Sequence, residues 1–266
     1  MARAVAVGVD GSRESRTAAD WAAREAVRRE LPLRLVNCWG LASPLTPLRR
    51  DAEPGGSRRL LGELQARLAA RYPELEIGTE SLTGSPVHAL TGAAAAAELL
   101  VLGSRGLGQV TGFLLGSVSL PVVARAERPV VVVRPEGNWT EASGLEVVVG
   151  VHRPEPAVLD FAVRAAAARG LRLRAVHVTP PEDGARLPGE PVSVPASLRS
   201  AHPGAQVVEE PATGSPGQVL TEAAADAELV VVGRGGHRPG LGPRVGPVVH
   251  ALLHHAPCPV AVVPHG

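Results

Sequence analysis

Short, largely apolar runs alternate along this chain with stretches whose apolar residues recur every three or four positions. The runs at 5–9, 99–102 and 129–133 hold no polar side chain, and that at 33–38 holds only Arg34 and Asn37, which predicts strands buried on both faces. Between the first two, Ala18, Ala19, Ala22, Ala26 and Val27 fall at helical spacing and predict a helix over 15–29. The same reading gives a helix over 57–70, a strand over 76–83, a helix over 85–98 opened by Ser85-Pro86, and a helix over 117–126. Strand–helix alternation of this kind predicts parallel sheets covered by helices on both faces.

The pattern then occurs a second time. Gly84-Ser85-Pro86 matches Gly214-Ser215-Pro216, and Pro129 with the four valines after it matches Pro259-Val260-Ala261-Val262-Val263, each 130 positions later. At the start the offset is larger: Val5 corresponds to Val147, 142 positions on, so the second copy has lost residues, mainly between its second and third strands. Two tandem domains follow, at 1–137 and 145–266, each an open, Rossmann-like parallel sheet of about five strands. The Pro-, Gly- and Ser-containing stretch 134–144 reads as the linker.

Composition narrows the chemistry. A net charge of +1 provides no general attraction to nucleic acid or an anionic membrane, and 2% aromatics are too few for base-stacking platforms. All 27 basic residues are arginine, which excludes a P-loop lysine, a Schiff-base lysine and a Ser-x-x-Lys site. Cys38 and Cys258 are expected to be buried small hydrophobes, and Trp21, Trp39 and Trp139 packing residues. The chain enters its first strand directly, and no apolar run reaches membrane-spanning length, so the expectation is a cytoplasmic protein.

The candidate chemistry lies in a glycine pattern. Gly103 and Gly106 follow the fourth strand, and Gly116-Ser117 comes ten positions after Gly106. A loop this long at a strand's carboxyl end is unusual unless functional. Gly116-Ser117-Val118-Ser119 at a helix start would offer backbone N–H groups and two hydroxyls to a phosphate. A glycine-rich turn with an ordinary serine cap is the competing reading of the same residues.

The Gly103-x2-Gly106-x9-Gly116-Ser117 pattern resembles the nucleotide-binding motif of the universal stress protein family. Val7-Gly8-Val9-Asp10-Gly11-Ser12 is similar to that family's opening strand and turn, and the later landmarks Gly84-Ser85-Pro86 and Pro129-Val130-Val131-Val132-Val133 follow in order. The resemblance covers nearly the whole chain and implies two domains of the adenine nucleotide alpha hydrolase-like fold. It implies ATP, with Mg2+ as an optional companion, in domain 1. Asp10, with Val9, would lie beside the nucleoside; Cys38 or its neighbour would give main-chain contacts to adenine; Gly103, Gly106 and Gly116 would approach ribose and phosphates; Ser117, Val118 and Ser119 would hold phosphate oxygens. Asp10 has a competing role, capping the turn through Gly11-Ser12.

The second copy departs from the motif in three places. His152 stands for Asp10, Arg153-Pro154 for Gly11-Ser12, and Pro247 for Ser117. Pro247 removes a hydroxyl and an N–H together, a loss of about 1.5–3 kcal/mol for each hydrogen bond to a charged group. No cofactor is expected in domain 2, although it could take another anion. Arg234, Arg238 and Arg244 are expected to be solvated surface arginines. His250, His254 and His255 share a predicted helix without an accompanying carboxylate, so a solvated or interfacial cluster is favoured over a metal site.

The leading expectation is an ATP-binding stress-response or regulatory protein whose nucleotide modulates protein contacts, with no catalytic residues and at most slow hydrolysis. The alternative is a nucleotide-independent adaptor; an ATP-hydrolysing or nucleotidyl-transferring enzyme is the weakest reading. The expected partners are an adenine nucleotide and an unidentified protein, with neither nucleic acid nor membrane. The final strands suggest a pseudo-dimer of the two domains within the chain and a homodimer of chains.

Overall fold

Each apolar run of the sequence is a buried parallel strand in the computed structural model, which describes residues 3–39, 54–104, 117–135, 146–179, 193–235 and 245–266. The chain divides into two units, Met1–Pro135 and Glu136–Gly266.

In unit 1 the elements are β1 (Val5–Gly8), α1 (Arg13–Arg29), β2 (Leu33–Trp39), α2 (Pro54–Arg71), β3 (Ile77–Thr83), α3 (Pro86–Ala95), β4 (Leu99–Gly103), α4 (Ser119–Arg125) and β5 (Val130–Val133). The strand order is β3-β2-β1-β4-β5, and every pairing is parallel. The chain therefore builds outward from β1 through β2 to β3 and returns to the other side of β1 with β4. That reversal leaves a crevice at the carboxyl ends of β1 and β4, where open sheets of this kind take ligands. The pairing of Val7 with Val101 brings those two ends level.

Unit 2 has β6 (Glu146–Val151), α5 (Pro156–Ala167), β7 (Arg172–Thr179), α6 (Ala196–Ala201), β8 (Val207–Thr213), α7 (Pro216–Ala223), β9 (Ala227–Gly235), α8 (Pro247–His255) and β10 (Val260–His265). Its order, β8-β7-β6-β9-β10, repeats that of unit 1 strand for strand. The lost residues fall between β7 and β8, where the 6-residue α6 stands in place of the 18-residue α2.

The central strands carry the core. Val5, Ala6, Val7, Leu99, Leu100 and Val101 are all 0% exposed, so alternation would have put polar groups where no water reaches. On α1, Ala18, Ala19, Ala22 and Ala26 form the buried stripe with Trp21; small residues let the helix lie close to the sheet. Val27 does not belong to that stripe: it is 49% exposed.

Several boundaries differ from the sequence expectation by one to three residues, and three of them have a specific cause. α1 begins two residues early, because the Ser12 hydroxyl accepts from the Ser15 N–H at 3.1 Å and caps the helix. α3 stops at Ala95, since the Glu98 N–H already belongs to the sheet, donating to the Ala4 carbonyl at 2.9 Å. α4 begins at Ser119 rather than Ser117, because Pro121 has no N–H to reach back to the Ser117 carbonyl. Its first helical bond is instead Val122 N–H to Val118 carbonyl, at 3.1 Å.

Candidate functional site

At the end of β1 the backbone turns through Asp10-Gly11-Ser12. Gly11 has φ of +78°, a left-handed conformation that a side chain would strain. The Asp10 carboxylate holds the turn: Oδ1 accepts from the Ser12 N–H at 3.1 Å and from the Ser12 hydroxyl at 2.5 Å. Buried Ser15 completes it, its hydroxyl accepting from the Asp10 N–H at 3.2 Å and donating to the Ser12 carbonyl at 3.1 Å. The Arg16 Nε–H reaches the Gly11 carbonyl at 3.3 Å. These contacts are those of the turn-capping role weighed for Asp10, which remains partly exposed at the crevice.

Gly103 ends β4 directly beside this turn. A Cβ on Gly103 would lie 2.7 Å from the backbone carbon and oxygen of Glu14, so only glycine lets the first turn of α1 approach β4 this closely. From the other side, the Ser119 hydroxyl donates to the Gly103 carbonyl at 3.1 Å. Ser119 is buried and ties the start of α4 to β4, whereas Ser117 is exposed and Val118 half-buried just before the helix. The two hydroxyls expected to act together on phosphate therefore face different surroundings. Gly106 and Gly116 lie outside the described residues, as does Trp139.

The third side of the crevice is the end of β2. Cys38 is half-buried, not buried as expected, and its thiol donates to the Gly84 carbonyl at 3.4 Å. Burial pushes the Cys38 thiol up from its ordinary value. Val9 is buried, its N–H donating to the Val36 carbonyl at 2.8 Å and its carbonyl accepting from Asn37 Nδ2 at 2.6 Å. Among the described residues, Asn37 Oδ1 has no hydrogen-bond partner although the residue is only 4% exposed. The sequence reading missed Asn37 and Ser15. The signal for Asn37 was present: one amide inside an apolar strand, where burial without a partner is costly.

The crevice thus gathers Asp10, Val9, Gly103, Ser119 and Cys38 from three strand ends and one helix start. The universal stress protein family model matches twice, at residues 1–134 and 146–264. The chain belongs to the universal stress protein family. It has the tandem two-domain form. Among curated relatives, universal stress protein Rv2005c of Mycobacterium tuberculosis is 31% identical over 97% of this chain and 96% of its own length. Universal stress protein Rv3134c of the same organism is 37% identical over 76% of this chain and 75% of its own. The fold is also that of a universal stress protein crystal structure from Archaeoglobus fulgidus, which covers 99% of this chain and 98% of that one at a TM-score of 0.70 and 18% identity.

The corresponding place in unit 2 is built differently. The exposed His152 and Arg153 occupy the turn after β6, and α8 opens at Pro247 with Gly246 as its cap and no side-chain cap bond. Arg234 is not a solvated surface arginine: it is 8% exposed on β9, and burial lowers its pKa. Arg238 and Arg244 lie outside the described residues, as do Pro239 and Pro243. On α8 the rings of His250 and His254 stack at 4.2 Å, and among the described residues no group of three or more His, Cys, Asp or Glu is placed to hold a metal. No helix among the described residues is long and apolar enough to cross a membrane.

Proposed function

We propose that unit 1 binds an adenine nucleotide, ATP in the first instance, at the carboxyl ends of β1, β2 and β4, and that occupancy changes which proteins the chain contacts in a stress or regulatory response. The observation that carries this reading is the difference between the two units at one place. Unit 1 keeps a glycine-bent, carboxylate-capped turn against the bare backbone of Gly103, while unit 2 has Arg153-Pro154 and Pro247 at the matching positions.

The residues present fit a nucleotide in two respects. Asn37 offers an unpartnered buried acceptor near the strand ends, and the half-exposed Cys38 leaves backbone approachable at the end of β2. With no acidic cage among the described residues, Mg2+ would arrive on the phosphates and keep its remaining ligands as water. In the proposed roles Asp10 and Val9 face the nucleoside, Cys38 lies at the base, Gly103, Gly106 and Gly116 at ribose and phosphates, and Ser117, Val118 and Ser119 at phosphate oxygens. Ser119 would serve by anchoring α4 to β4, since its hydroxyl is engaged with Gly103. The reading includes no rapid turnover of ATP, a cytoplasmic location, and association of chains into a homodimer.

The engagement of Asp10 Oδ1 and the Ser119 hydroxyl in internal contacts favours, as a second reading, an adaptor that works without nucleotide. One experiment separates the two. The purified chain is denatured and its released nucleotide counted, and stripped protein is titrated calorimetrically with ATP and Mg2+, wild type against Ser117→Pro. About one nucleotide per chain in the wild type, with affinity down at least roughly tenfold in Ser117→Pro, is expected from the loss of one N–H and one hydroxyl on an anion. Two per chain would assign a working site to unit 2, and none at micromolar ATP leaves the adaptor.

A further inference from the structure

Unit 2 contains a cavity of about 270 Å³ at the carboxyl ends of β6, β7 and β9. Its walls are aliphatic: Val151, Val176 and Val232 from the sheet, Val158 from α5, Leu220 from α7 and Val248 from α8. Its polar side chains are His152, Arg153, Glu155 and His265. Glu155, just before α5, and His265, at the end of β10, face each other with Oε2 and Nδ1 3.4 Å apart.

The position matching His265 in unit 1 is Pro135, so unit 1 has no imidazole there. A Cβ on Gly233 would lie 2.7 Å from His265 Cδ2 and Nε2, whereas the matching Gly103 is backed by the main chain of α1. In unit 2, therefore, an imidazole–carboxylate pair stands where unit 1 has helix backbone.

We propose that this cavity binds a small, uncharged, largely apolar aromatic molecule bearing one N–H or O–H donor, of the indole or phenol type, and not a nucleotide. The size sets the upper limit, just under the roughly 300 Å³ at which drug-sized sites begin, so one or two rings fill it. Aliphatic walls select an apolar body. The polar side selects a donor: one Glu155 oxygen faces His265 Nδ1, and the second is left to accept from a ligand. Arg153 lines the same cavity, but a phosphate chain would also meet the Glu155 carboxylate and, near by at Pro247, a helix start lacking an N–H. This inference does not depend on the nucleotide reading of unit 1.

The test uses the full chain with indole and 1-methylindole, which differ by the single N–H, followed by calorimetry and saturation-transfer NMR. The expected result is one saturable indole per chain, undisturbed by saturating ATP, with 1-methylindole about tenfold weaker. Val248→Trp fills the cavity from its half-exposed rim and should weaken both ligands at least roughly tenfold. Glu155→Ala removes a partly exposed carboxylate that makes no cap bond and should bring the two ligands to equal affinity. If Val248→Trp loses its circular dichroism, the equalisation in Glu155→Ala decides alone. The proposal is overturned by indole that fails to saturate below about 5 mM, by displacement of indole with ATP, by unchanged binding in a folded Val248→Trp, or by an undiminished preference for the N–H in Glu155→Ala.

Discussion

Cys38 and Cys258 report on two kinds of burial. Cys258 is 4% exposed, and burial pushes its thiol up to about 12, so at pH 8 it is neither ionised nor reachable. Cys38 is half-buried at the end of β2, with its pKa raised more modestly by the same cause. A disulfide reagent at pH 8 is therefore expected to modify one thiol per native chain, identified as Cys38 by peptide mass, and the second only after denaturation. Because burial raises the Cys38 pKa, its rate should keep climbing above the pH at which a free thiol levels off. Labelling of Cys258 at a comparable rate in the native chain would contradict its burial. Added ATP should slow the labelling of Cys38 if the base lies where we propose.

Gly103 and Gly233 make a second comparison at this scale. Alanine at 103 would collide with the backbone of Glu14, which α1 holds in place, while alanine at 233 would meet the end of the His265 side chain, which can turn away. Gly103→Ala is expected to cost about 1–3 kcal/mol, in the range of overpacked sites, and Gly233→Ala distinctly less. Urea unfolding of the two variants measures the difference, and equal losses would mean that the His265 ring is held as firmly as a helix. The sequence made Gly103 visible as part of a motif. It did not reveal that one is backed by main chain and the other by an imidazole, since neither Glu14 nor His265 is near its glycine in sequence.

At the scale of the element, the two units solve one problem in two ways. α1 ends with Glu30 in the left-handed conformation, φ +54°, its N–H bonded to the Val27 carbonyl at 3.1 Å and that of Leu31 to Ala26 at 3.0 Å. α5 closes with the same pair of bonds, Gly170 N–H to Ala167 and Leu171 N–H to Ala166, both at 3.1 Å, but with glycine in the left-handed position at φ +64°. Unit 1 thus carries a strain that unit 2 has relieved. Replacing Glu30 by glycine removes a left-handed cost of about 1–2 kcal/mol and restores about 0.5–1 kcal/mol of chain entropy to the unfolded state. A net gain of up to about 1 kcal/mol is expected for Glu30→Gly. A higher urea midpoint with an unchanged slope would bear this out; a lower midpoint would show that the Glu30 side chain contributes more than its backbone costs.

Strands and helix interiors were readable because apolar periodicity states burial directly, as in Leu99–Gly103 and the alanine stripe of α1. Helix ends were less so. The start of α4 depends on Pro121 withholding one hydrogen bond, and the end of α3 on Ala4, just before β1, capturing the Glu98 N–H. The first cause is local and legible in hindsight; the second is a tertiary contact that no window of sequence contains. Val27 illustrates a third case, an apolar residue at helical spacing that nonetheless lies on the solvent side.

Across the whole molecule, duplication explains why so much of the fold could be read from one sequence: each landmark occurs twice, and the matching strand orders of the units follow from it. Function is where the copies part. Selection on a fold constrains both copies, but selection on a ligand constrains only the copy that uses it, so the substitutions at His152, Arg153 and Pro247 carry information that the retained strands do not. The two units should then respond differently to the same ligand. Hydrogen exchange of the full chain with and without ATP is expected to slow at the ends of β1 and β4 and at the start of α4, and to leave β6, β9 and α8 unchanged. At ATP one hundred times above its dissociation constant, the protection available to unit 1 is about 2.7 kcal/mol, close to a hundredfold in exchange rate for amides that open by unfolding of that unit. Equal protection in the matching segments of unit 2 would mean that Pro247 does not disable a site. Protection in neither unit, with ATP at millimolar concentration, would remove the nucleotide from the account and leave the retained turn at Asp10 as a purely structural feature of β1.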